Sequence, residues 1–357
     1  MSLSIGIVGL PNVGKSTLFN ALTRKKVPAE NYPFCTIDPS VGIVAVPDFR
    51  LDKLNDFSQS AKKIPAVVEF VDIAGLVQGA SKGEGLGNKF LSHIREVDAI
   101  AQVIRVFSDD NIVHVAGQID PQGDLETINL ELILADMQTV AKRKNNLDKE
   151  IKRGLKEAVI EGQLLAKIET TLEQGQMISS LALSTDEKKI LKGLHLLSVK
   201  PMIYVLNRKL DEAKDKAVAI KKYLAELKLE WVEIDAGLGF SLSDLDSGEK
   251  EIFRQEVGDD GTDQLIKAGY RILDLITFFT TGPDETRAWT TKQGSTAPIA
   301  GTAIHNDFKD KFIRAEVINW QTLLEAGSES RARELGLIKT VGKDYVVLDG
   351  DVITFKI

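Results

Sequence analysis

Short apolar runs alternate with stretches of helical spacing through most of the chain. The runs that predict buried strands cover residues 3–8, 41–46, 67–71, 100–106, 202–206 and 231–234. Runs of this length, bounded by turn residues, are typical of strands that are buried between helices. The alternation predicts a doubly wound α/β domain with a mostly parallel sheet.

Between residues 126 and 200 the apolar positions follow a helical period instead. Two sets repeat every four positions among many Lys and Glu residues: Leu147, Ile151 and Leu155, then Leu164, Ile168 and Leu172. This spacing predicts an antiparallel pair of helices inserted before the fifth strand of the sheet. Ser184 and Glu187 have capping-box spacing and predict a further helix, in which Ile190, Leu194 and Leu197 face inward.

The insert also carries a row of basic residues, namely Lys142, Arg143, Lys144, Lys149, Lys152 and Arg153. Such a row either contacts RNA or is a solvated helix face, and the second interpretation is the more frequent one. The whole chain has a formal net charge of -7. This negative charge argues against nucleic-acid binding through the overall charge of the protein. Binding through a local basic face is the alternative.

From residue 281 onward, short strand candidates alternate with Gly or Pro turns. Asp349, Gly350 and Asp351 predict a hairpin turn before a last strand over residues 352–357. We therefore expect a small separate α+β domain at this end. The predicted division is a sheet domain over 1–125 and 201–280, a helical insert over 126–200 and a C-terminal domain over 281–357.

Composition narrows the protein class. The single cysteine, Cys35, excludes an internal disulfide and agrees with a reducing compartment. No apolar run approaches the roughly 20 residues that a transmembrane helix needs, and the first apolar run leads into a glycine-rich loop, unlike a signal peptide. We expect a cytoplasmic protein without a membrane contact.

The loop after the first predicted strand carries the clearest chemistry. Residues 9–17 read GLPNVGKST, the spacing of a phosphate-binding loop between a strand and a helix. Its backbone N–H groups converge on phosphates, Lys15 adds a positive charge and the Ser16 hydroxyl binds Mg²⁺. The predicted phosphate-binding residues are Asn12, Val13, Gly14, Lys15, Ser16 and Thr17. The loop therefore predicts binding of a nucleoside triphosphate.

Two later motifs complete a nucleotide switch. Asp72-Ile-Ala-Gly75 ends the strand over residues 67–71, which places Asp72 where it holds Mg²⁺ through water and the Gly75 N–H near the γ-phosphate. Thr36, in a polar loop over residues 31–40, is predicted to be the second hydroxyl ligand of Mg²⁺. An isolated Asp-x-x-Gly is weak support, but its place after a phosphate-binding loop and a threonine makes the set specific.

Several stretches resemble the YchF/Obg-like ATPase family of translation-factor-class P-loop proteins. Besides the phosphate-binding loop they are NYPFCTIDPSVG, EFVDIAGLVQGASKGEGLGNKFLSHIRE, NIVHVAG, ETRAWT, HNDFKDKFIRAEVI and GKDYVVLDGDV, and they cover nearly the whole chain. The resemblance implies a C-terminal TGS domain with a ubiquitin-like β-grasp fold, use of ATP, and the ribosome or a ribosomal subunit as partner. It also implies that the insert and the TGS domain contact RNA.

The residue after Gly75 is Leu76, where Ras-type enzymes have a glutamine that orients the attacking water. An alkyl side chain cannot hydrogen-bond to water, so hydrolysis is expected to be slow unless another group contributes. The resemblance implies two candidates: Asn12, which would help to hold K⁺ beside the phosphates, and His114, which aligns with a histidine proposed to assist hydrolysis. The alternatives are a turn residue for Asn12 and an ordinary loop histidine for His114.

GTPases usually recognise guanine with Asn-Lys-x-Asp, and the corresponding residues here are Asn207, Arg208, Lys209 and Leu210. Leu210 cannot accept the guanine N–H groups, and charge-assisted hydrogen bonds contribute roughly 1.5–3 kcal/mol each. The sequence therefore predicts a preference for ATP over GTP, with Asn207 contacting the base and Arg208 covering one ring face. The family has Glu at this position, so Leu210 departs from the family as well.

Two alternatives bear on the base. Asp211 or Glu212 would replace the missing carboxylate after a change of register. Asp235, which ends the predicted strand over residues 231–234, is hypothesised to accept from the adenine amino group, and the alternative is a plain loop Asp.

The sequence thus predicts a Mg²⁺-dependent P-loop NTPase that hydrolyses ATP slowly and acts as a switch on an RNA-containing partner. The predicted catalytic residues are Lys15, Asn12, His114 and Gly75. Two rival functions remain: a nucleotide-dependent binding scaffold with vestigial hydrolysis, which Leu76 favours, and a metabolic kinase, for which no acceptor site is apparent in the sequence.

Overall fold

A computed structural model describes residues 3–23, 40–73, 86–109, 119–210, 215–243, 245 and 247–357. Within these residues, six strands form a first sheet: β1 (Ser4–Val8), β2 (Val41–Ala45), β4 (Val67–Asp72), β5 (Ala99–Arg105), β6 (Met202–Asn207) and β7 (Trp231–Ile234). Their order is β2-β4-β1-β5-β6-β7, and all neighbours are parallel except β2 and β4. The predicted strands and the mostly parallel sheet are confirmed.

Helices bury this sheet on both faces. All seven residues of β5 are buried, and so are the last four of β1. Because successive side chains of a strand point to opposite faces, such continuous burial requires packed elements on both sides. The helices of this part are α1 (Lys15–Thr23), α2 (Phe49–Ser58), α3 (Leu86–Glu96), α7 (Asp215–Glu226), α8 (Ala236–Leu242), α9 (Ser247–Val257) and α10 (Thr262–Ile272).

The predicted helical insert lies between β5 and β6. It consists of α4 (Pro121–Lys152), α5 (Lys156–Glu173), a 3-10 turn (Ile178–Ser180) and α6 (Thr185–Lys192). Leu147, Leu164 and Ile168 share one buried cluster, as expected for the predicted pair of helices. Ser184 caps α6: its hydroxyl accepts from the Glu187 N–H at 3.2 Å, and the Glu187 carboxylate accepts from the Ser184 N–H at 2.7 Å. The capping box is confirmed.

Two details of the insert were wrong in the sequence analysis. The helix α4 ends at Lys152, so Leu155 lies beyond it and is 50% exposed. Gly154, with φ at +76°, turns the chain there, although the spacing of apolar residues continues through the turn. The helix α6 ends at Lys192, so Leu194 lies in the following turn and not in the helix, although it packs against the core of the insert as predicted.

The basic row of the insert is partly neutralised by its own hairpin. Arg143 donates to the Glu161 carboxylate, with Nε and Oε1 2.6 Å apart, and Lys144 forms an ion pair with Glu169. The other members of the row are exposed: Lys142, Lys149, Lys152 and Arg153. The part of the row nearest the turn between α4 and α5 therefore presents its charge to solvent.

A second sheet contains the C-terminal strands. They are β8 (Leu275–Thr281), β9 (Glu285–Lys292), β10 (Arg314–Asn319), β11 (Lys339–Val341) and β12 (Asp351–Lys356), with the helices α11 (Ala297–Gly301), α12 (Asp307–Asp310), α13 (Trp320–Ala326) and α14 (Glu329–Glu334). The strand order is β11-β10-β12-β8-β9-β3, where β3 is Lys62–Ile64. The last strand lies between β10 and β8 and is parallel to β8. This arrangement is that of the predicted β-grasp fold.

The turn before β12 differs from the prediction. The expected hairpin would pair β12 with the preceding strand, but β12 pairs with β10 and β8 instead. Gly350 has φ at +90°, and its carbonyl accepts from the Trp320 N–H at 3.0 Å. The turn therefore places the last strand in the middle of the sheet. The residues of the turn do not specify which strands become its neighbours.

The two sheets share one hydrophobic core. Leu51 and Leu54 of α2 belong to the same buried cluster as Phe279 of β8 and Leu323 of α13. Arg50 adds a polar link, with its Nη1 2.5 Å from the Asp349 carboxylate. The second sheet is thus packed directly on the part that contains the first sheet, through α2.

The domain limits remain predictions. The helix α4 begins at Pro121 and the strand β8 at Leu275, each a few residues before the limits predicted at 126 and 281. Of the helices in the described ranges, none combines the length and apolarity that crossing a bilayer would take.

Candidate nucleotide-binding site

The loop between β1 and α1 has the tight conformation that the sequence predicts. Gly14 adopts φ at +98°, and a Cβ at this position would lie 2.3 Å from the Asn207 Nδ2. Asn12 adopts φ at +63°, a conformation that asparagine tolerates better than most side chains. The Leu18 N–H donates to the Gly14 carbonyl at 2.9 Å and begins the helix. Glycine is therefore required at Gly14 both by backbone conformation and by lack of space.

Lys15 is the buried cation of the site. It is 8% exposed, and its Nζ donates to the Leu10 carbonyl at 2.8 Å. Burial lowers the pKa of Lys15 below its ordinary value, and the nearby Asp72 carboxylate partly opposes this shift. The loop thus holds an ammonium group that lacks full solvation, and an incoming phosphate would stabilise its charge.

Ser16 and Asp72 meet although 56 positions separate them in sequence. The Ser16 hydroxyl donates to the Asp72 carboxylate, with Oγ and Oδ2 3.2 Å apart. Ser16 begins the exposed side of α1, and Asp72 ends β4, which lies beside β1 in the sheet. The parallel pairing of β1 and β4 therefore brings the two predicted metal ligands together.

This pair has the chemistry of a Mg²⁺ site. Mg²⁺ prefers oxygen ligands, and proteins usually supply one or two of them while phosphates and waters complete the octahedron. A hydroxyl and a carboxylate within hydrogen-bond distance fit that pattern. Among the described residues, no group of three or more His, Cys, Asp or Glu side chains is gathered as a metal site would require.

Asn207 connects the phosphate-binding loop to the first residue of α8, which follows β7. Its Nδ2 donates to the Val13 carbonyl at 2.9 Å, and its Oδ1 accepts from the Ala236 N–H at 3.1 Å. The side chain is 4% exposed. Asn207, predicted as a base contact, therefore braces this loop and the start of α8 with both ends of its amide.

Asp235 is also engaged with the backbone. Its Oδ1 accepts from the Leu238 N–H at 2.9 Å and caps α8, and its Oδ2 accepts from the Leu210 N–H at 3.0 Å. Both carboxylate oxygens thus hold backbone groups in place. The geometry supports the alternative of a structural loop Asp over a contact with adenine.

An aliphatic side chain stands where GTPases carry the guanine-binding carboxylate. A Cβ on Gly258 would lie 3.7 Å from the Leu210 Cδ1, which shows that Leu210 packs against the loop before α10. The neighbouring Arg208 directs its Nε to within 3.7 Å of the Glu233 carboxylate. Neither side chain supplies an acceptor for guanine.

Sequence reasoning missed a cluster beside the base loop. Arg105 ends the buried strand β5 at 1% exposure, donates from Nε to the Phe107 carbonyl at 3.1 Å and lies 4.6 Å from the Phe107 ring centroid. Lys209 lies 5.5 Å from the same ring and 3.0 Å from the Asp109 carboxylate. The signal available in the sequence was a charged residue, Arg105, in a strand whose other members are apolar except Gln102.

The remaining predicted residues divide into two groups. Val13 is buried and contributes its carbonyl to Asn207, whereas Thr17 is exposed at the start of α1. The others lie outside the described residues, namely Thr36, Gly75, Leu76, His114, Asp211 and Glu212. Their predicted roles stay predictions.

Comparisons with known proteins agree with this architecture. Residues 4–157 match a family described as 50S ribosome-binding GTPase, and residues 275–357 match the C-terminal family of YchF GTPases, described as protein of unknown function (DUF933). The chain is 50% identical over 363 residues to the protein named ribosome-binding ATPase YchF from Bacillus subtilis (strain 168), covering 100% of this chain and 99% of that one.

A second relative and a solved structure extend the match. The protein named ribosome-binding ATPase YchF from Escherichia coli O157:H7 is 44% identical, with 99% of each chain covered. The structure described as the Schizosaccharomyces pombe YchF GTPase superposes with a TM-score of 0.90 at 37% identity, covering 99% of this chain and 98% of that one. Full-length coverage at this identity leaves no part of the fold unmatched, and the chain belongs to the YchF family.

Proposed function

We propose that this protein is a Mg²⁺-dependent nucleoside triphosphate hydrolase that prefers ATP and acts as a nucleotide-controlled switch on the ribosome. The observation that carries the proposal is the meeting of Ser16 and Asp72 at 3.2 Å beside the buried Lys15. Three groups suited to phosphate and metal converge there from two separate elements. A structural loop has no use for a buried ammonium of this kind.

Each group has a defined task toward a triphosphate. The backbone N–H groups at the start of α1 and the Lys15 ammonium bind the phosphate oxygens and stabilise negative charge. Ser16 and Asp72 would hold Mg²⁺, with Thr36 as the predicted further ligand. When bound, Mg²⁺ neutralises charge on the phosphates. Gly75 is proposed to bring its N–H to the γ-phosphate, which connects the nucleotide state to the segment before α3.

The preference for ATP rests on Leu210. Its packing against Gly258 leaves an aliphatic surface where a carboxylate would accept from guanine. Each charge-assisted hydrogen bond contributes roughly 1.5–3 kcal/mol, so the lack of that acceptor removes most of the advantage of guanine over adenine. Asn207 and the backbone of Arg208 would then line a base site that selects the base by its shape.

Hydrolysis is proposed to be slow in the absence of a partner. Leu76 cannot orient water, so the missing contribution must come from elsewhere. Asn12 is proposed to help hold K⁺ beside the phosphates, and its exposed position in the phosphate-binding loop supports this role. His114 is proposed to assist hydrolysis on the strength of the family resemblance.

The ribosome is proposed as partner because the relatives of 44–50% identity bear the name ribosome-binding ATPase. The C-terminal β-grasp unit is proposed to be a TGS domain that contacts RNA, and the protein is proposed to work in the cytoplasm. The exposed basic residues of the insert support a second contact surface. A binding scaffold with vestigial hydrolysis is the second candidate, and Leu76 favours it.

Single-turnover assays with ATP or GTP, in the presence and absence of Bacillus subtilis ribosomes, test this function. We expect slow ATP hydrolysis that ribosomes accelerate, and a lower rate with GTP. Ribosome binding that responds to ATP without any turnover would support the scaffold, and a phosphorylated acceptor would support the kinase. Equal rates in Na⁺ and K⁺ would remove the role of Asn12, and an unchanged rate for His114→Ala would remove that of His114.

A further inference from the structure

The turn between α4 and α5 exposes an apolar surface that no element of the protein covers among the described residues. Its members are 36%, 50%, 39% and 55% exposed, in the order Ile151, Leu155, Val159 and Ile160. The apolar spacing that continues from Leu147 through Leu155 therefore runs past the core of the hairpin. Ile151 still contacts α5, since its Cδ1 would lie 3.0 Å from a Cβ on Gly162, but none of the four side chains belongs to the buried cluster of the hairpin.

Basic residues surround these apolar ones. Between Ile151 and Ile160 the chain has three cations, Lys152, Arg153 and Lys156, and one acidic residue, Glu157, and all four are exposed. None of the three has an ion-pair partner in the part of the chain that the structure describes, unlike Arg143 and Lys144 further along α4. We call the four apolar and three basic residues together the tip surface.

Two residues of the tip surface oppose the local rules of helix stability. Leu155 is the N-cap of α5 and makes no side-chain capping bond, although Ser, Thr, Asp or Asn is strongly preferred there. Lys156 begins α5, where the positive end of the helix dipole favours an acidic residue. Both positions sacrifice helix stability, and residues that break local rules are expected at functional sites.

The helix α4 runs from its packing against α3 to the tip surface. Ile128 and Leu132, near the start of α4, pack in one cluster with Phe90 and Ile94 of α3. The helix α3 follows the segment that begins at Asp72 in the sequence. The helix α4 ends at Lys152, 20 positions after Leu132, so it extends roughly 30 Å from this packing to the tip surface. A small tilt of α4 at its start would move the tip surface by a larger distance.

We propose that the tip surface docks on an acidic protein of the ribosome, in an apolar groove that is rimmed by Asp and Glu side chains. The inference rests on the proposed ribosome partner and names the class of component that is bound. Proteins bind RNA through charge and by stacking bases on aromatic rings. The tip surface has four aliphatic side chains and no aromatic one, so its chemistry fits a protein groove. The cations then set orientation and association rate.

Two double variants and a control test the proposal by sedimentation with Bacillus subtilis ribosomes. The apolar variant is Leu155→Ser with Ile160→Ser, and the charge variant is Lys152→Glu with Lys156→Glu. The control changes an equally exposed Leu and Lys near the end of α7, as Leu227→Ser with Lys222→Glu. We expect both tip variants to bind about tenfold more weakly or worse, and the control to bind like wild type.

Thermal melting separates this role from a structural one. Leu155→Ser supplies a preferred N-cap for α5. In the charge variant, the first-turn acid from Lys156→Glu offsets the cation that Lys152→Glu removes from the last turn of α4, so neither variant should melt below the wild type. Weaker ribosome binding by a variant that melts at or above the wild-type temperature is the expected result. Weaker binding that is accompanied by a lower melting temperature in both tip variants would contradict the proposal.

The remaining outcomes distinguish the proposal from the function on which it rests. Failure of the wild type to bind ribosomes in any nucleotide state would overturn both. Normal binding by both tip variants would overturn the tip surface alone. Loss of binding by the charge variant only would indicate RNA as the occupant. A photo-crosslinking amino acid at the position of Val159 gives a direct readout: we expect a crosslink to a ribosomal protein, and a crosslink to ribosomal RNA would overturn the protein groove.

Discussion

In the phosphate half of the candidate site, the polar side chains of Lys15, Ser16 and Asp72 converge on one place beside the phosphate-binding loop. In the base half, Asn207 and Asp235 each hold two backbone groups of separate segments. The ammonium of Lys15 is buried with a lowered pKa, whereas both ends of the Asn207 amide and both oxygens of the Asp235 carboxylate are hydrogen-bonded to backbone groups. One half thus keeps polar groups for a ligand, and the other uses them to position backbone.

This difference has a thermodynamic consequence. A polar group that is buried for a ligand destabilises the ligand-free protein. Its removal should therefore abolish function and leave the free energy of unfolding unchanged or higher. A group that satisfies buried backbone stabilises the fold, and its removal leaves those partners unpaired. Four substitutions test whether the two halves behave in these opposite ways.

Lys15→Met should have the largest effect on function. We expect hydrolysis of ATP to fall by at least about 10³-fold, because the charge that stabilises the phosphates is lost. The free energy of unfolding of the nucleotide-free protein should rise by on the order of 1 kcal/mol, because the variant no longer buries a charge. Lys15→Arg, which keeps a cation, is the control and should show no such gain. A large loss of stability in Lys15→Met would contradict the comparison.

The same variant gives a test by pH. The folded-state pKa of Lys15 lies below the unfolded value near 10.5, so the folded protein releases this proton first as the pH rises. The free energy of unfolding of the wild type should therefore rise with pH between the folded-state pKa and 10.5, whereas that of Lys15→Met should not. The stability advantage of the variant should shrink over this range. Urea unfolding of both proteins at several alkaline pH values measures this difference. A gap that widens with pH would contradict the lowered pKa.

Asn207→Ala should have the largest effect on stability. The change leaves the buried Val13 carbonyl and the Ala236 N–H without their partner, and we expect a loss of about 2–4 kcal/mol in the free energy of unfolding. Affinity for ATP and GTP should fall together, because the loop positions change for both. Urea unfolding and nucleotide titration measure the two effects. The control is Asn20→Ala on the exposed side of α1, which should be neutral.

Leu210→Asp should change specificity. A carboxylate at this position would accept from guanine, and we expect the ratio of GTP to ATP affinity to rise about tenfold. Leu210→Asn is the control of similar size without the charge, and it should shift the ratio less. Competition binding with both nucleotides measures the ratio. An unchanged ratio in Leu210→Asp would show that shape alone decides which base is bound.

Asp235→Ser should have the smallest effect. Serine can still cap α8 but is too short to hold the Leu210 N–H as well, and we expect a loss of about 1 kcal/mol in stability. The ratio of ATP to GTP affinity should stay the same if Asp235 only positions backbone. A fall in that ratio would instead support the contact with the adenine amino group.

Features that depend on interactions between residues close in sequence could be predicted from the sequence, and features that depend on distant residues could not. The phosphate-binding loop was predictable because its glycine, its lysine and its strand–helix context lie within about a dozen positions and obey local rules. The predicted strands were recovered because their apolar runs must be buried. The pairing of Ser16 with Asp72 also followed, since parallel neighbouring strands end at the same edge of the sheet.

The errors arose where local and distant demands differ. The spacing of Leu147, Ile151 and Leu155 indicates one helix, but Gly154 turns the chain and leaves two of these side chains exposed. The turn at Gly350 has hairpin chemistry, yet β12 finds better partners in β8 and β10. The roles of Asn207 and Asp235 depend on backbone groups far away in sequence.

The sequence by itself determined that this protein has a triphosphate-binding loop, a mostly parallel sheet, a helical insert and a small C-terminal α+β unit, because these follow from short-range patterns, whereas the β-grasp fold of that unit was implied by the family resemblance. Only the tertiary structure decided that the base-half polar residues serve the backbone, that Arg105 and Lys209 both contact Phe107, and that the end of the insert is exposed. Hydrogen-bond partners and burial depend on which distant segments meet, and the pattern of one segment does not contain that information.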